Sequence, residues 1–442
     1  MELLKKAQEM LEAHPLCDHC LGRQFALLGY GMNDQKRGET LKLLLTMKNH
    51  KLALSGKKTG FSTLRVLAAN GSFDMAADIL HKMRKRARKK RECYLCQGLF
   101  KSLDKLVENV LEKLELYEYA TFLVGIELPT MVEEREDEFK ARFYVEYGES
   151  MRNEFSRDIG KRLSAITKKT AEYRKPDVVV LINPFTGQVT LQSNPLYIQG
   201  TYRKLVRGIP QSKWLCRNCG GAGCPKCHEI GKMYPESVEE IIAEPLLQAT
   251  GGEDVSLHAA GREDVDARML GTGRPFIMEV KKPKRRFIDL KSLAKVINKQ
   301  AKGKVEVLNL GSASKDDIRQ LKKAEASQKI YSVIIEFDRE VTDSELETVT
   351  KTLEKAGIRQ QTPLRVLHRR ADLVREKYIY ETKIKRLAPN RAEMKIRCQG
   401  GLYIKELISG DEGRTEPNVA KIVNAEAKPL KLDVLKVIME ES

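Results

Sequence analysis

Apolar residues recur every three or four positions through most of the first 118 residues, the spacing that turns one face of a helix toward a core. Helices are therefore expected through residues 1–100, where FSTLRVLAANGSFDMAADILHKMRKRARK holds the period across a glycine break. Another is expected over about 101–118, where LDKLVENVLEKLELY gathers leucine and valine on one side. From Phe122 the texture changes toward strands. TFLVGIELP and FKARFYVEYG predict strands, and NEFSRDIGKRLSAITKK predicts a helix. DVVVLINP and QVTLQSNPLYIQG predict two more strands, joined by a turn at Asn183–Gly187.

Beyond Pro235, SVEEIIAEPLLQAT predicts a helix, and so do DLKSLAKVINKQA and DSELETVTKTLEKAG. Strands are expected at PFIMEV, VEVLNL, YSVIIEF, PLRVLH, EKYIYETKIKRL and EMKIRCQG. The order implies an α+β chain in four parts: a helical module over 1–100, an α+β unit over 101–205, a basic linker over 206–235, and a domain over 236–442 built on a mixed, largely antiparallel sheet. No internal repeat interrupts it.

The longest aliphatic run, Val178–Ile182, is far too short to span a bilayer. The N-terminal MELLKKAQEMLEAHP lacks a signal peptide's apolar stretch and cleavage site, so a cytoplasmic protein is expected. Seventy-nine Lys and Arg against 61 Asp and Glu leave a formal charge of +18. That excess points to a polyanionic partner, because phosphate contacts release condensed counterions. A lysine-rich surface selected for solubility or heat tolerance is the bland alternative. The charge is clustered, however, in HKMRKRARKKR, His81–Arg91. The segment carrying Tyr202, Arg203, Lys204, Arg207 and Trp214 reads equally as a nucleic-acid contact or as a plain surface connection.

Eight of nine cysteines form C-x2-C pairs, which in a cytoplasmic chain read as zinc thiolates before disulfides. Cys216, Cys219, Cys224 and Cys227 make a C-x2-C-x4-C-x2-C cluster whose glycines let two tight turns aim four sulfurs at one tetrahedral metal. Cys17 and Cys20 would share a second zinc with Cys93 and Cys96, stapling the helical module. Cys398 has no partner pair and reads as a small buried residue.

Three features of the last domain carry chemistry. Asp264 lies in GREDVDAR before the strand PFIMEV, Tyr331 opens YSVIIEF, and Lys405 lies with Tyr403 in GGLYIKELISGDEGRTEPN. Taken singly they are a capped turn, a core tyrosine and a surface lysine. Together they resemble the pseudouridine synthases. GRED is similar to that family's catalytic loop, with an arginine two residues before the essential aspartate, and GLYIKEL to its third motif, whose basic residue pairs with that aspartate. YRKLVRGIPQ, CRNCGGAGCPKC, AGREDVDARMLGTGRPF, LRVLHRRADLVREK and YIKELISGDEGRTEPN more closely resemble the tRNA pseudouridine synthases shared by archaea and eukaryotes, which act at positions 54 and 55 of the TΨC arm. The unit before Leu205 is similar to a THUMP domain, an RNA-end-binding module.

The resemblance implies a monomeric isomerase acting on tRNA, with structural zinc and no catalytic cofactor. It implies that Asp264 acts on the sugar, that Lys405 and less directly Arg262 keep it ionised, and that Tyr331 stacks on the uracil near its C5 proton. Arg262 would fill the space left by a flipped base. Tyr403, Arg203, Lys204 and Arg207 are the expected substrate contacts. Matching GRED selects Asp264 over Asp266, which is left to bond the turn's amides or a neighbour such as Arg268. Glu263 departs from the smaller polar residues of other family branches.

Two other readings compete. Asp264 with Glu279 and Lys281 matches a D…E-x-K metal-dependent nuclease pattern, short and frequent by chance. A non-catalytic, zinc-containing RNA-binding protein would explain charge and cysteines but gives no reason for the Asp264, Tyr331 and Lys405 set. No P-loop and no glycine-rich nucleotide loop after a strand is present.

Overall fold

The computed structural model describes residues 2–323, 327–368 and 370–438, and the chain divides into two compact units, Met1–Asn194 and Pro195–Ser442. In the first unit, helices at Glu2–Ala13, Asp34–Leu54, Lys58–Ala69 and Asp74–Lys82 precede Leu103–Leu114, Thr130–Arg142 and Met151–Thr167. Side-chain caps start two of them: Asn33 accepts from the Lys36 amide at 2.8 Å and Ser150 from the Asn153 amide at 3.2 Å. Strands β1 (Thr121–Ile126), β2 (Thr170–Ala171), β3 (Val178–Asn183) and β4 (Gln188–Ser193) form one sheet in the order β2-β1-β3-β4. One continuous core runs from Met10 and Leu11 through Leu106 and Val110 to Phe122, Val180 and Val189, so the helical residues 1–100 and the α+β residues after them share a single interior.

FKARFYVEYG is not a strand. Phe139 is buried on the helix Thr130–Arg142, and the aromatics that suggested a strand close that helix and the turn after it. Among the described residues, no helix is long and apolar enough to cross a membrane.

The second unit holds a ten-stranded sheet: β5 (Leu196–Lys204), β6 (Asp254–Ala259), β7 (Arg268–Lys281), β8 (Val305–Ala313), β9 (Lys329–Phe337), β10 (Gly357–Gln361), β11 (Val374–Ala388), β12 (Arg391–Cys398), β13 (Thr415–Glu416) and β14 (Ala427–Val437). The order is β13-β10-β11-β12-β9-β14-β7-β5-β8, with β6 also on β7. Every pairing is antiparallel except β14 with β7, which gives the expected mixed, largely antiparallel sheet.

Three differences from the sequence expectations matter for the site. QVTLQSNPLYIQG is two strands, β4 and β5, and β5 leaves the first unit to pair with β7 and β8, so the division falls at Asn194–Pro195 and not near Leu205. Its buried Ile198 and Tyr202 belong to the core of the large sheet. The cysteine-bearing residues 206–235 are likewise part of this second unit. PLRVLH is a one-turn helix, Leu364–Leu367, entered through Pro363, which cannot donate to a sheet ladder.

Candidate active site

Asp264 stands on the loop 260–267 that joins β6 to β7, two strands paired along their full overlap from Asp254–Lys281 to Ala259–Phe276. Gly261, at φ +85°, turns the chain out of β6. The loop is fixed from beneath by Glu263, whose side chain is fully buried. Arg274 Nε donates to Glu263 at 2.9 Å, and the Tyr202 hydroxyl donates at 2.9 Å. Gln211 Nε2 donates to Tyr202 Oη at 2.8 Å and to the Gly261 carbonyl at 3.0 Å. Burial pushes Tyr202's phenol up and the Glu263 charge adds to it; burial works against the Arg274 cation, and the same carboxylate more than offsets that.

Lys204 is the counterweight. It is fully buried, and its ammonium donates to the carbonyls of Ile209 at 2.9 Å, Asp264 at 3.0 Å and Val265 at 3.2 Å. It is therefore not an RNA contact: a lysine with no exposed surface cannot meet a phosphate, and its donors are spent holding the Asp264 loop. Arg207 bonds the carbonyls of Asp266 at 2.7 Å and Leu432 at 2.6 Å, and Arg203 bonds the Gly271 carbonyl at 2.6 Å and Glu306 at 3.0 Å. Tyr202, buried with Glu263, belongs to the interior as well.

The Asp264 carboxylate faces two cations. Arg365, on the one-turn helix, lies 3.2 Å away, and Lys405 lies 3.4 Å away. Arg365 is oriented by Glu406, which accepts from its Nε at 2.6 Å; burial opposes the Arg365 charge, and the two carboxylates raise its pKa regardless. Lys405, beside Glu406 on the helix Ile404–Ser409, reaches both oxygens of Asp266 at 2.7 Å. Burial raises Asp266's pKa, and the Lys405 bond and charge reverse this, leaving it below the usual carboxylate range. Asp266 thus takes the closer share of Lys405, and Arg268 pairs instead with Asp433.

Strand β14 sits between β9 and β7, so that Val434 neighbours Tyr331 on one side and Met269 on the other. This places Tyr331 with Asp264, Arg262, Arg365, Tyr403 and Lys405 on one open cleft of about 680 Å³. Burial pushes the Tyr331 phenol above its ordinary range, so it is a neutral hydroxyl at pH 7. Gln360 holds the Tyr403 backbone at both N–H and C=O, while its ring lies 5.9 Å from the Arg365 guanidinium and its hydroxyl accepts from Arg370 at 3.1 Å. Arg262 rests 4.7 Å from the ring centre of Trp214. Glu279 and Lys281 do not line this cleft: Glu279 binds His258 at 2.9 Å and Lys281 binds Asp254 at 2.6 Å, so the nuclease constellation does not assemble.

The residues missed from the sequence are Arg365, Glu406 and Arg370. LRVLHRR lies in a stretch that resembles the family, but nothing local says which arginine reaches an aspartate 101 positions away.

Both cysteine sets converge. Cys17 and Cys96 sulfurs are 3.6 Å apart, and Cys216–Cys224, Cys219–Cys227 and Cys224–Cys227 are 3.9, 3.8 and 3.7 Å apart. Sulfurs about 2.3 Å from a tetrahedral zinc lie roughly 3.8 Å from one another, so either set could hold the ion.

The family model described as Pus10, C-terminal, matches residues 197–438, and that of the archaeal Pus10 THUMP domain matches residues 106–183. The chain belongs to the Pus10 family. The tRNA pseudouridine synthase Pus10 of Methanocaldococcus jannaschii is 44% identical over 437 residues, 97% of this chain and 93% of the relative. The Pus10 proteins of Methanothrix thermoacetophila and Pyrococcus furiosus are each 38% identical, over 99% of this chain and 94% and 98% of theirs. Among solved structures, a Cbf5-Nop10-Gar1 complex aligns with 53% of this chain and 47% of the matched chain at 13% identity and a TM-score of 0.29, too slight a likeness to build on. The Pus10 C-terminal match ends at the last described residue of β14's flank and so takes in every residue of the cleft.

Proposed function

We propose that this enzyme isomerises uridine to pseudouridine in the TΨC arm of tRNA, at position 54, position 55 or both, with Asp264 as the reacting carboxylate. The observation that carries the reading is Asp264 held between Arg365 and Lys405 on a cleft that also presents Tyr331.

The reaction breaks N1–C1′, turns the uracil, joins C5 to C1′, and moves a proton from C5 to N1, so atoms balance without a redox partner. A carboxylate serves it by attacking C1′ or by removing a sugar proton. Either role uses the carboxylate, and Arg365 and Lys405 at 3.2 and 3.4 Å face its charge. Tyr331 supplies a ring against which the uracil turns and a neutral hydroxyl near C5. The target base must leave its stack, and Arg262, one of the exposed cations lining the cleft, takes its place. The two cysteine sets would bind zinc as closed four-thiolate centres that cross-link the fold.

The deciding experiment maps pseudouridine by carbodiimide and primer extension on an unmodified tRNA transcript incubated with the protein. Product at position 54 or 55, formed also in EDTA on prefolded tRNA, is expected. Cleaved RNA that depends on Mg²⁺ would favour the nuclease, and binding without either product the scaffold.

A further inference from the structure

Two short arms run into and out of the Cys216–Cys227 cluster, paired at Leu215 and Lys232. The Cys216 amide donates to the Gly231 carbonyl at 2.8 Å, and the Met233 amide to the Trp214 carbonyl at 2.9 Å. Gly231 has φ +69°, and a Cβ there would lie 2.3 Å from the Gly221 carbonyl oxygen, so this closure needs glycine. At the base of the arms Trp214 and Tyr234 meet edge to face, ring centres 5.5 Å apart. The Arg262 guanidinium lies over the Trp214 ring at 4.7 Å, a cation–π distance.

Arg262 is an exposed side chain between two pinned residues. Gly261 is held through its carbonyl by Gln211, and Glu263 by Arg274 and Tyr202. The backbone at 262 is thus set by the buried network, and the long side chain lies over the ring of Trp214. Nothing in the Asp264 chemistry itself requires a cysteine knuckle on the same unit.

We propose that the Cys216–Cys227 knuckle is a positioning device for Arg262. The four thiolates would hold zinc, which would keep the arms closed; the arms set Trp214, and Trp214 holds the guanidinium at the cleft edge, ready to enter the space a flipped base vacates. This rests on the reading of the cleft as a pseudouridine-forming site. Trp214 touches no reacting atom; it is a positioning residue.

Trp214 is the chain's single tryptophan, so the emission comes from the one ring against which Arg262 and Tyr234 pack. In the full-length protein without RNA, Arg262→Met is expected to change the emission. Cys224→Ser, which empties the knuckle, should change it too, and tRNA binding should shift it in the direction of Arg262→Met as the arginine leaves the ring. With saturating tRNA in single turnover, Trp214→Ala should slow product formation about fivefold or more while Kd stays within about twofold, and Trp214→Phe should recover most of the rate. Trp214→Ala combined with Cys224→Ser should be no slower than the slower single variant, since both act through one contact. Emission indifferent to both Arg262→Met and Cys224→Ser, or a full rate in Trp214→Ala, would overturn the proposal. A wild-type protein that makes no pseudouridine would fell the catalytic reading by itself; the emission experiments would still decide whether the knuckle holds Arg262.

Discussion

The buried ammonium of Lys204 donates to the backbone carbonyl of Asp264 at 3.0 Å, and its charge lies 4.0 Å from Glu263. Burial lowers its pKa to about 8, Glu263 and the two loop aspartates pulling the other way. An unfolded lysine titrates near 10.4. Between those values the unfolded chain binds more protons than the folded one, so this group's contribution to stability rises with pH. Wild type should gain on Lys204→Met as pH climbs from about 8 to about 10, with parallel behaviour below pH 7. At pH 7, Lys204→Met should cost about 2 kcal/mol or more, because three carbonyls lose a donor. Urea melts at four pH values would show it; a difference independent of pH would refute it.

Asp264→Asn should fold and bind tRNA yet form no detectable pseudouridine, since an amide can neither attack C1′ nor take a proton. Asp266→Asn should stay within about tenfold of wild type, because Asp266 does not itself line the cleft. Yields on one transcript compare them, and a dead Asp266→Asn beside an active Asp264→Asn would move the reacting group two residues along.

Arg365 should matter as much as Lys405. Arg365→Met is expected to slow the single-turnover rate by about tenfold to a hundredfold, with tRNA affinity little changed. Arg365→Lys should rescue poorly, because a guanidinium can serve Glu406 through Nε while facing Asp264 with its terminal nitrogens. Equal rates for the lysine variant and wild type would reduce Arg365 to a generic positive charge.

Elemental analysis should find two zinc ions per chain. The set at Cys216–Cys227 is less enclosed than that at Cys17, Cys20, Cys93 and Cys96, so a chelator should strip it first. One zinc per chain would leave the N-terminal set in doubt, and less than one would remove both.

Arg84, Arg86 and Arg88 are exposed in the first unit. Changing all three to alanine should weaken tRNA binding and flatten its salt dependence by up to about one unit of slope per lost contact. An unchanged slope returns the cluster to an ordinary solvated surface.

Patterning made the long elements legible. β9, β11 and β12 alternate, and Leu103–Leu114 carries its apolar stripe in plain view. β14 hides in the sequence because lysines occupy its exposed positions and Pro429 interrupts it, although it is the strand that brings Tyr331 toward the Asp264 loop. β6 is short and half-polar. In the site, Asp264, Tyr331, Lys405 and Tyr403 could be named because each sits in a motif. Lys204 also sits in a basic, aromatic stretch, and composition alone made it look like a phosphate ligand. Two of its three partners are carbonyls about sixty residues away, and such contacts leave no period in a sequence.

The two sulfur clusters differ in when they can exist. Cys216 through Cys227 leave the ribosome nearly together, and their closure around an ion would be a local event. Cys17 and Cys20 must wait, as an unfinished half-site, for Cys93 and Cys96 to be synthesised some seventy residues later. During that interval the first helices have no thiolate partner at their far end, so an ion there would fix the N-terminal unit only once Cys96 is made, whereas the knuckle would close within its own short segment.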